Sequence, residues 1–275
     1  MKRFNVGFAG ALLFLTACSE KAPIVVGSKN FTESVILGEM VAQKLESAGC
    51  KVDRRLNMGG TFVCDSAMTS GALDTYVEYS GTALEAILKQ PKADVAAAYA
   101  KRGLHWGPAL GFNNTFAMIV RKADSPGLLN ISDLATVADR FRPGFGYEFV
   151  ERPDGWNGLQ HAYNLQFAKP PKTMDLGLTY KALASNEIDL IAGNSTDGLI
   201  ASLGLIALND DRHYFPRYDA AVVYRNDIDK KCGGASKALE SLRGKLDDAA
   251  MRQLNFEVDG KKRDVAAVAH DALGR

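Results

Sequence analysis

The sequence predicts an α/β protein of two lobes built mainly on parallel sheets, and three observations carry that prediction. From Ile24 onward, short apolar runs alternate with segments of helical periodicity, the signature of strands joined by crossover helices. The segment Ser70 to Thr82, SGALDTYVEYSGT, aligns without gaps on Ser185 to Asp197, SNEIDLIAGNSTD, at a constant offset of 115 residues that sets Leu73 over Ile188, Asp74 over Asp189 and Ser80 over Ser195. Two strand-like runs, Phe116 to Lys122 and Asp219 to Asn226, bracket the second of these segments and read as crossover hinge strands. Two similar half-structures are implied, lobe one from 24–117 and 215–275 and lobe two from 118–214. A chain of 275 residues with 47% hydrophobic content has enough apolar material for both cores.

The elements follow in order. Lys2 and Arg3 form a positive start, and Phe4 to Leu15 form an apolar run too short to span a bilayer, which together read as a secretory signal over residues 1–18. It closes on Leu15-Thr16-Ala17-Cys18, which resembles a bacterial lipobox and implies lipidation of Cys18. The apolar run at Ile24 reads as a buried strand. A helix to about Ser47 follows, because Leu37, Met40, Val41 and Leu45 share one face, with Asn30 or Thr32 as cap and Gly49 as terminator. Cys50 to Leu56 is the next strand. Met58-Gly59-Gly60-Thr61 is a tight turn whose glycines are free to take unusual backbone angles, with Thr61 capping a helix through Met68. In both repeated segments the strand ends at a sharp turn, placing Tyr79 or Asn194 beside a helix start. Open α/β sheets bind ligands at such carboxyl ends of strands, so two facing lobes would share one cleft.

Composition excludes several classes. Thirty-three Lys and Arg against 32 Asp and Glu give a formal charge of +1, which offers no footprint for nucleic acid. Beyond Cys18 there remain Cys50, Cys64 and Cys232, none in CxxC or Cys/His spacing, so no metal site is expected. They read as small buried apolar residues without a structural disulfide. No GxSxG, HExxH or GxxxxGK motif is present and the histidines, His105, His161, His213 and His270, are scattered, so neither catalytic residues nor a cofactor are assigned. A sensory module would share the same cleft.

Several segments, in this order and spacing, resemble the glycine betaine/carnitine/choline-binding proteins of ABC transporters: GSKNFTESVILGE (27–39), MGGTFV (58–63), YVEYSGTAL (76–84), LGFNNTFAMIVRK (110–122), ERPDGWNGL (151–159), NSTDGLI (194–200) and YFPRYDAAVVYR (214–225). The resemblance covers nearly all of the chain after the signal. It implies a class II periplasmic binding protein fold, an extracytoplasmic lipid-anchored monomer, and delivery of a captured amine to a membrane permease. A quaternary ammonium has no N–H to donate and is held by aromatic faces, each worth about 0.5–2 kcal/mol when desolvated, while its carboxylate or hydroxyl needs separate anchors. The family's motifs carry these roles onto Lys29, Thr61, Tyr79, Thr82, Asn114, Phe116, Arg152, Asn194 and Tyr218. Two positions depart from the usual pattern. Phe116 stands where a Tyr is common, which keeps the π-face. Asn194 stands where another Tyr is usual, which removes a wall of the box, so that either Trp156 in the neighbouring loop replaces it or the ligand carries a polar group or ring suited to an amide.

Overall fold

The computed structural model describes residues 22–274; the signal segment and Cys18 lie outside them. Ten strands form two five-stranded sheets. The first contains β1 (Ile24–Gly27), β2 (Val52–Arg55), β3 (Thr75–Tyr79), β4 (Leu104–Asn113) and β10 (Asp219–Arg225), in the order β2-β1-β3-β10-β4. The second contains β5 (Phe116–Arg121), β6 (Pro143–Gly146), β7 (Lys172–Met174), β8 (Leu190–Asn194) and β9 (Leu205–Leu208), in the order β7-β6-β8-β5-β9. In each sheet the parallel core is completed by one inserted antiparallel strand, β10 against β3 and β5 against β8. The chain passes between sheets through Asn114 and Thr115, and returns through 209–218. The two runs expected as crossover strands therefore lie at the landing side of each passage, β5 in the second sheet and β10 in the first.

The repeated segments occupy equivalent places. The offset of 115 residues carries the observed bounds of β3 onto those of β8. The equivalence extends to side chains. Asp74 Oδ2 accepts from the backbone N–H of Val25 at 2.7 Å, and Asp189 Oδ2 accepts from that of Arg142 at 3.0 Å. Leu73 packs against Gly27 and Ile188 against Gly144, where a Cβ would come within 2.4 and 2.5 Å of the respective side chains. An aspartate, buried at 74 and half-buried at 189, thus ties the entering strand to its neighbour in both sheets, with glycine admitting the aliphatic residue below it.

The helix α1 (Thr32–Ser47) buries Ile36, Leu37, Met40, Val41 and Leu45, as its periodicity requires, and gives way to Gly49 at a φ of +83°. Its start differs from expectation: the cap position is Phe31 in extended conformation, while Thr32, already helical, donates its hydroxyl to Asp259 Oδ1 at 2.7 Å. The second helix, α2 (Thr61–Ser70), is likewise capped by Gly60 and not by Thr61, whose side chain is buried. Gly60 is needed there because Glu148, from the helix Tyr147–Glu151 beside the second sheet, lies where its Cβ would be, 1.9 Å from Oε1.

The cysteines correct the sequence reading. Cys50 and Cys232 form a disulfide with Cα atoms 5.6 Å apart, fastening the end of α1 to the chain after β10, while Cys64 is a buried free thiol as expected. Partners 182 residues apart leave no local spacing signal. No helix among the described residues is long and apolar enough to cross a membrane.

Candidate functional site

The two sheets face one another across a cavity of about 300 Å³. Its lining includes Lys29, Thr61, Tyr79, Thr82, Asn114, Phe116, Arg152, Asn194 and Tyr218, nine of the residues singled out from sequence. Strand ends explain the convergence. Lys29 follows β1, Tyr79 ends β3, Asn114 follows β4, Phe116 begins β5, Asn194 ends β8 and Tyr218 precedes β10. Trp156 is the exception. It begins the helix Trp156–Tyr163 and is 4% exposed, packed against Phe145 and Phe167 with ring centroids 4.8 and 5.1 Å away. It plugs the core of the second sheet and does not replace the aromatic wall missing at Asn194. Phe149 also lines the cavity and meets Phe116 edge-on at 4.9 Å.

Both cationic side chains arrive already paired. Lys29 Nζ lies 2.5 Å from Glu78 Oε1 and 5.2 Å from the centre of the Tyr79 ring. Arg152 binds Asp154 through two parallel hydrogen bonds, Nε to Oδ1 at 2.8 Å and Nη2 to Oδ2 at 2.5 Å, and donates from Nη1 to Thr82 Oγ1 at 3.2 Å. Its guanidinium stacks over Phe116 at 5.0 Å and faces Tyr218 at 5.9 Å. Burial lowers the proton affinity of the Arg152 guanidinium, but Asp154 more than compensates and leaves it raised above its ordinary value. Tyr218 donates to the same Asp154 Oδ2 and is seated on Gly81, where any Cβ would come within 2.6 Å of the ring. Glu148 and Asp175 also line the cavity, so its walls carry both signs of charge.

Behind the wall lies Glu33, in the first turn of α1 and 1% exposed. It accepts from Tyr79 Oη and Asn114 Nδ2, each at 2.7 Å, from Thr196 Oγ1, and from Asn255 Nδ2 at 3.1 Å. Burial pushes its carboxyl up to about 7, only partly offset by the hydrogen bonds from Thr196, Tyr79 and Asn255. The phenol of Tyr79 is raised well above its ordinary value by burial and by the neighbouring Glu33. Asn194 lines the cavity and is anchored to Asp197 twice, by its backbone N–H to Oδ2 at 2.8 Å and by its side-chain Nδ2 to Oδ1 at 3.3 Å. Burial raises Asp197 to about 6 against the hydrogen bonds from Tyr180 and Asn194.

Glu33, Glu78, Asp154, Glu148 and Thr196 were not singled out from sequence. One signal existed: Glu78 sits in a strand whose five residues are all buried, and a carboxylate there requires a partner. The others depend on which distant segments meet.

This two-sheet frame with a cavity between strand ends has known counterparts. Residues 22–275 match the family model of the substrate binding domain of ABC-type glycine betaine transport systems. The chain belongs to that family. It is therefore an extracytoplasmic solute-binding component of an ABC importer, of the two-lobed periplasmic binding protein fold. A carnitine transport binding protein of Listeria monocytogenes is 33% identical over 293 residues, covering 98% of this chain and 94% of the relative. An ergothioneine transport permease/binding protein of Helicobacter pylori is 37% identical over 266 residues, covering 93% of this chain; the chain spans 48% of that longer relative. A crystal structure of a glycine betaine/carnitine/choline ABC transporter superposes with a TM-score of 0.72 at 29% identity, covering 91% of this chain and 97% of that one.

Proposed function

We propose that the protein captures a betaine-type quaternary amine, such as glycine betaine, choline or carnitine, in the cavity between the sheets and hands it to a membrane permease without chemical change. The observation that carries this reading is the meeting of three aromatic faces, Tyr79, Phe116 and Tyr218, with two carboxylate-paired cations in one enclosed space. Such walls suit a ligand that is cationic at one end and anionic at the other: π-faces and Glu148 for the ammonium, the remaining N–H groups of Lys29 and Arg152 for the carboxylate. In this reading Thr61, Thr82, Asn114 and Asn194 complete the ligand shell.

A second ligand class, a betaine bearing a heterocycle, is favoured by Asn194. Its amide carbonyl, and the N–H not given to Asp197, offer an acceptor and a donor where an aromatic wall would serve only methyl groups, and the 37% identical relative is named for ergothioneine. Lobe boundaries near 117 and 214, a lipid anchor at Cys18 and action as a monomer belong to the same proposal; the sheet assignments of β5 to β9 and of β10 support the boundaries. The test is a thermal-shift screen of the mature chain against glycine betaine, choline, carnitine and ergothioneine, followed by calorimetry, since a ligand that binds only the folded state raises Tm. A Tm unmoved by all of them at millimolar concentration would refute the assignment.

A further inference from the structure

The donors that converge on Glu33 come from four separate parts of the chain: the end of β3, the passage between the sheets, the turn after β8 and the helix Asp248–Asp259. Tyr79 and Asn114 are cavity walls on the side of the first sheet, whereas Thr196 arrives from the second. Asn255 reinforces the junction by donating also to the Thr196 carbonyl at 2.8 Å. Lys29 is committed to Glu78, so hydrogen-bond donors rather than a cation hold Glu33 in place. The Oδ1 atoms of Asn114 and Asn255 are buried without a hydrogen-bond partner. On the donor side the Asn114 amide is held by Glu33 and the adjacent Tyr79 hydroxyl, which together set its orientation in the cavity wall.

From this arrangement we infer that Glu33 is a positioning residue for ligand capture: it sets the Tyr79 ring and the Asn114 amide in their working orientations and locks them when Thr196 docks from the opposite sheet. Completion of the aromatic wall and closure of the cleft then become a single event. Glu33 does not touch the ligand, and its effect passes through the two wall residues. The inference rests on the cavity being the ligand site.

Two experiments test it. Where a probe from the screen binds, stopped-flow fluorescence compares the native protein with Thr196→Val and Glu33→Gln. Loss of one buried side-chain hydrogen bond corresponds to about tenfold in an equilibrium constant. Thr196→Val, which lies outside the cavity lining, is expected to raise the dissociation rate about tenfold and leave association within about twofold. An unchanged dissociation rate, or a loss confined to association, overturns the proposal. The second experiment needs no ligand and so stands apart from the functional reading. Hydrogen exchange on the unliganded mature protein is expected to rise together in residues 79–83 and 194–197 of Glu33→Gln. A rise confined to α1, or to one of the two segments, shows a local structural role and refutes the coupling.

Discussion

Asn194 holds in the second sheet the place that Tyr79 holds in the first. Each is the last residue of the third strand of its sheet, each faces the inserted antiparallel strand, Tyr79 opposite Ala220 and Asn194 opposite Phe116, and each lines the cavity. The fold is near-symmetric here and the chemistry is not: one wall presents a π-face, the other an amide. Replacing Asn194 by Tyr should restore an aromatic wall and strengthen binding of choline or glycine betaine by about 0.5–2 kcal/mol. The same change should weaken any ligand whose ring hydrogen-bonds to the amide. Calorimetry with both ligand classes decides between them, and parallel gains for both would remove Asn194 from specificity.

Arg152 and Asp154 are both buried and share two hydrogen bonds. Arg152→Ala leaves Asp154 with only the Tyr218 hydroxyl, so it should lower unfolding stability by about 3–5 kcal/mol and weaken carboxylated ligands more than choline. Adding Asp154→Asn should recover much of the stability and none of the carboxylate preference. Urea denaturation and calorimetry on the pair of variants separate the two effects.

The Cys50–Cys232 bond closes a loop spanning most of the folded chain. Replacing both cysteines by Ala should lower stability by roughly 2–5 kcal/mol through greater freedom of the unfolded chain, with ligand affinity unchanged because neither residue lines the cavity. Guanidinium denaturation with and without the bond provides the comparison. A drop in affinity as well would show that the linkage shapes the cleft.

Glu33 makes a pH prediction with a definite sign. Its carboxyl ionises near 4.5 in the unfolded chain and, held back by burial, at about 7 in the folded protein. Below about 4.5 both states are protonated and the group has no effect. As pH rises through this window the unfolded state releases its proton first, so the Glu33 contribution falls, by no more than about 3 kcal/mol in all, and becomes flat above 7. Asp197, raised to about 6, adds in the same direction. Chemical denaturation from pH 4.5 to 7.5 should show a shallower decline for Glu33→Gln than for the native chain; identical slopes would exclude Glu33 as a source of it.

The architecture was legible where it rests on local pattern. The gapless echo of Ser70–Thr82 in Ser185–Asp197 put a strand in each segment at one offset, and β3 and β8 stand at that offset, because a buried strand ending at a helix start leaves the same trace each time. Candidate residues at strand ends, from Lys29 to Tyr218, reach one cavity for the same reason. What escaped depends on encounters between distant segments. Trp156 packs among rings at positions 145 and 167, and Glu33 gathers donors from up to 222 residues away. The helix starts were misjudged at Thr32 and Thr61 because a threonine one residue inside a helix carries the same letter as a capping one.

The insertion of β10 between β3 and β4 sets an order on assembly. The second sheet draws on one uninterrupted stretch, from Phe116 to Leu208, and has all its strands as soon as that stretch is made. The first sheet has none of its central hydrogen-bonding between Thr75–Tyr79 and Leu104–Asn113 until Asp219–Arg225 arrives. A chain synthesised from its N-terminus therefore begins with an unfinished half, completes the half that starts later, and only then seals the first. Truncation between Leu208 and Asp219 removes the keystone of the earlier domain while leaving every strand of the later one in place.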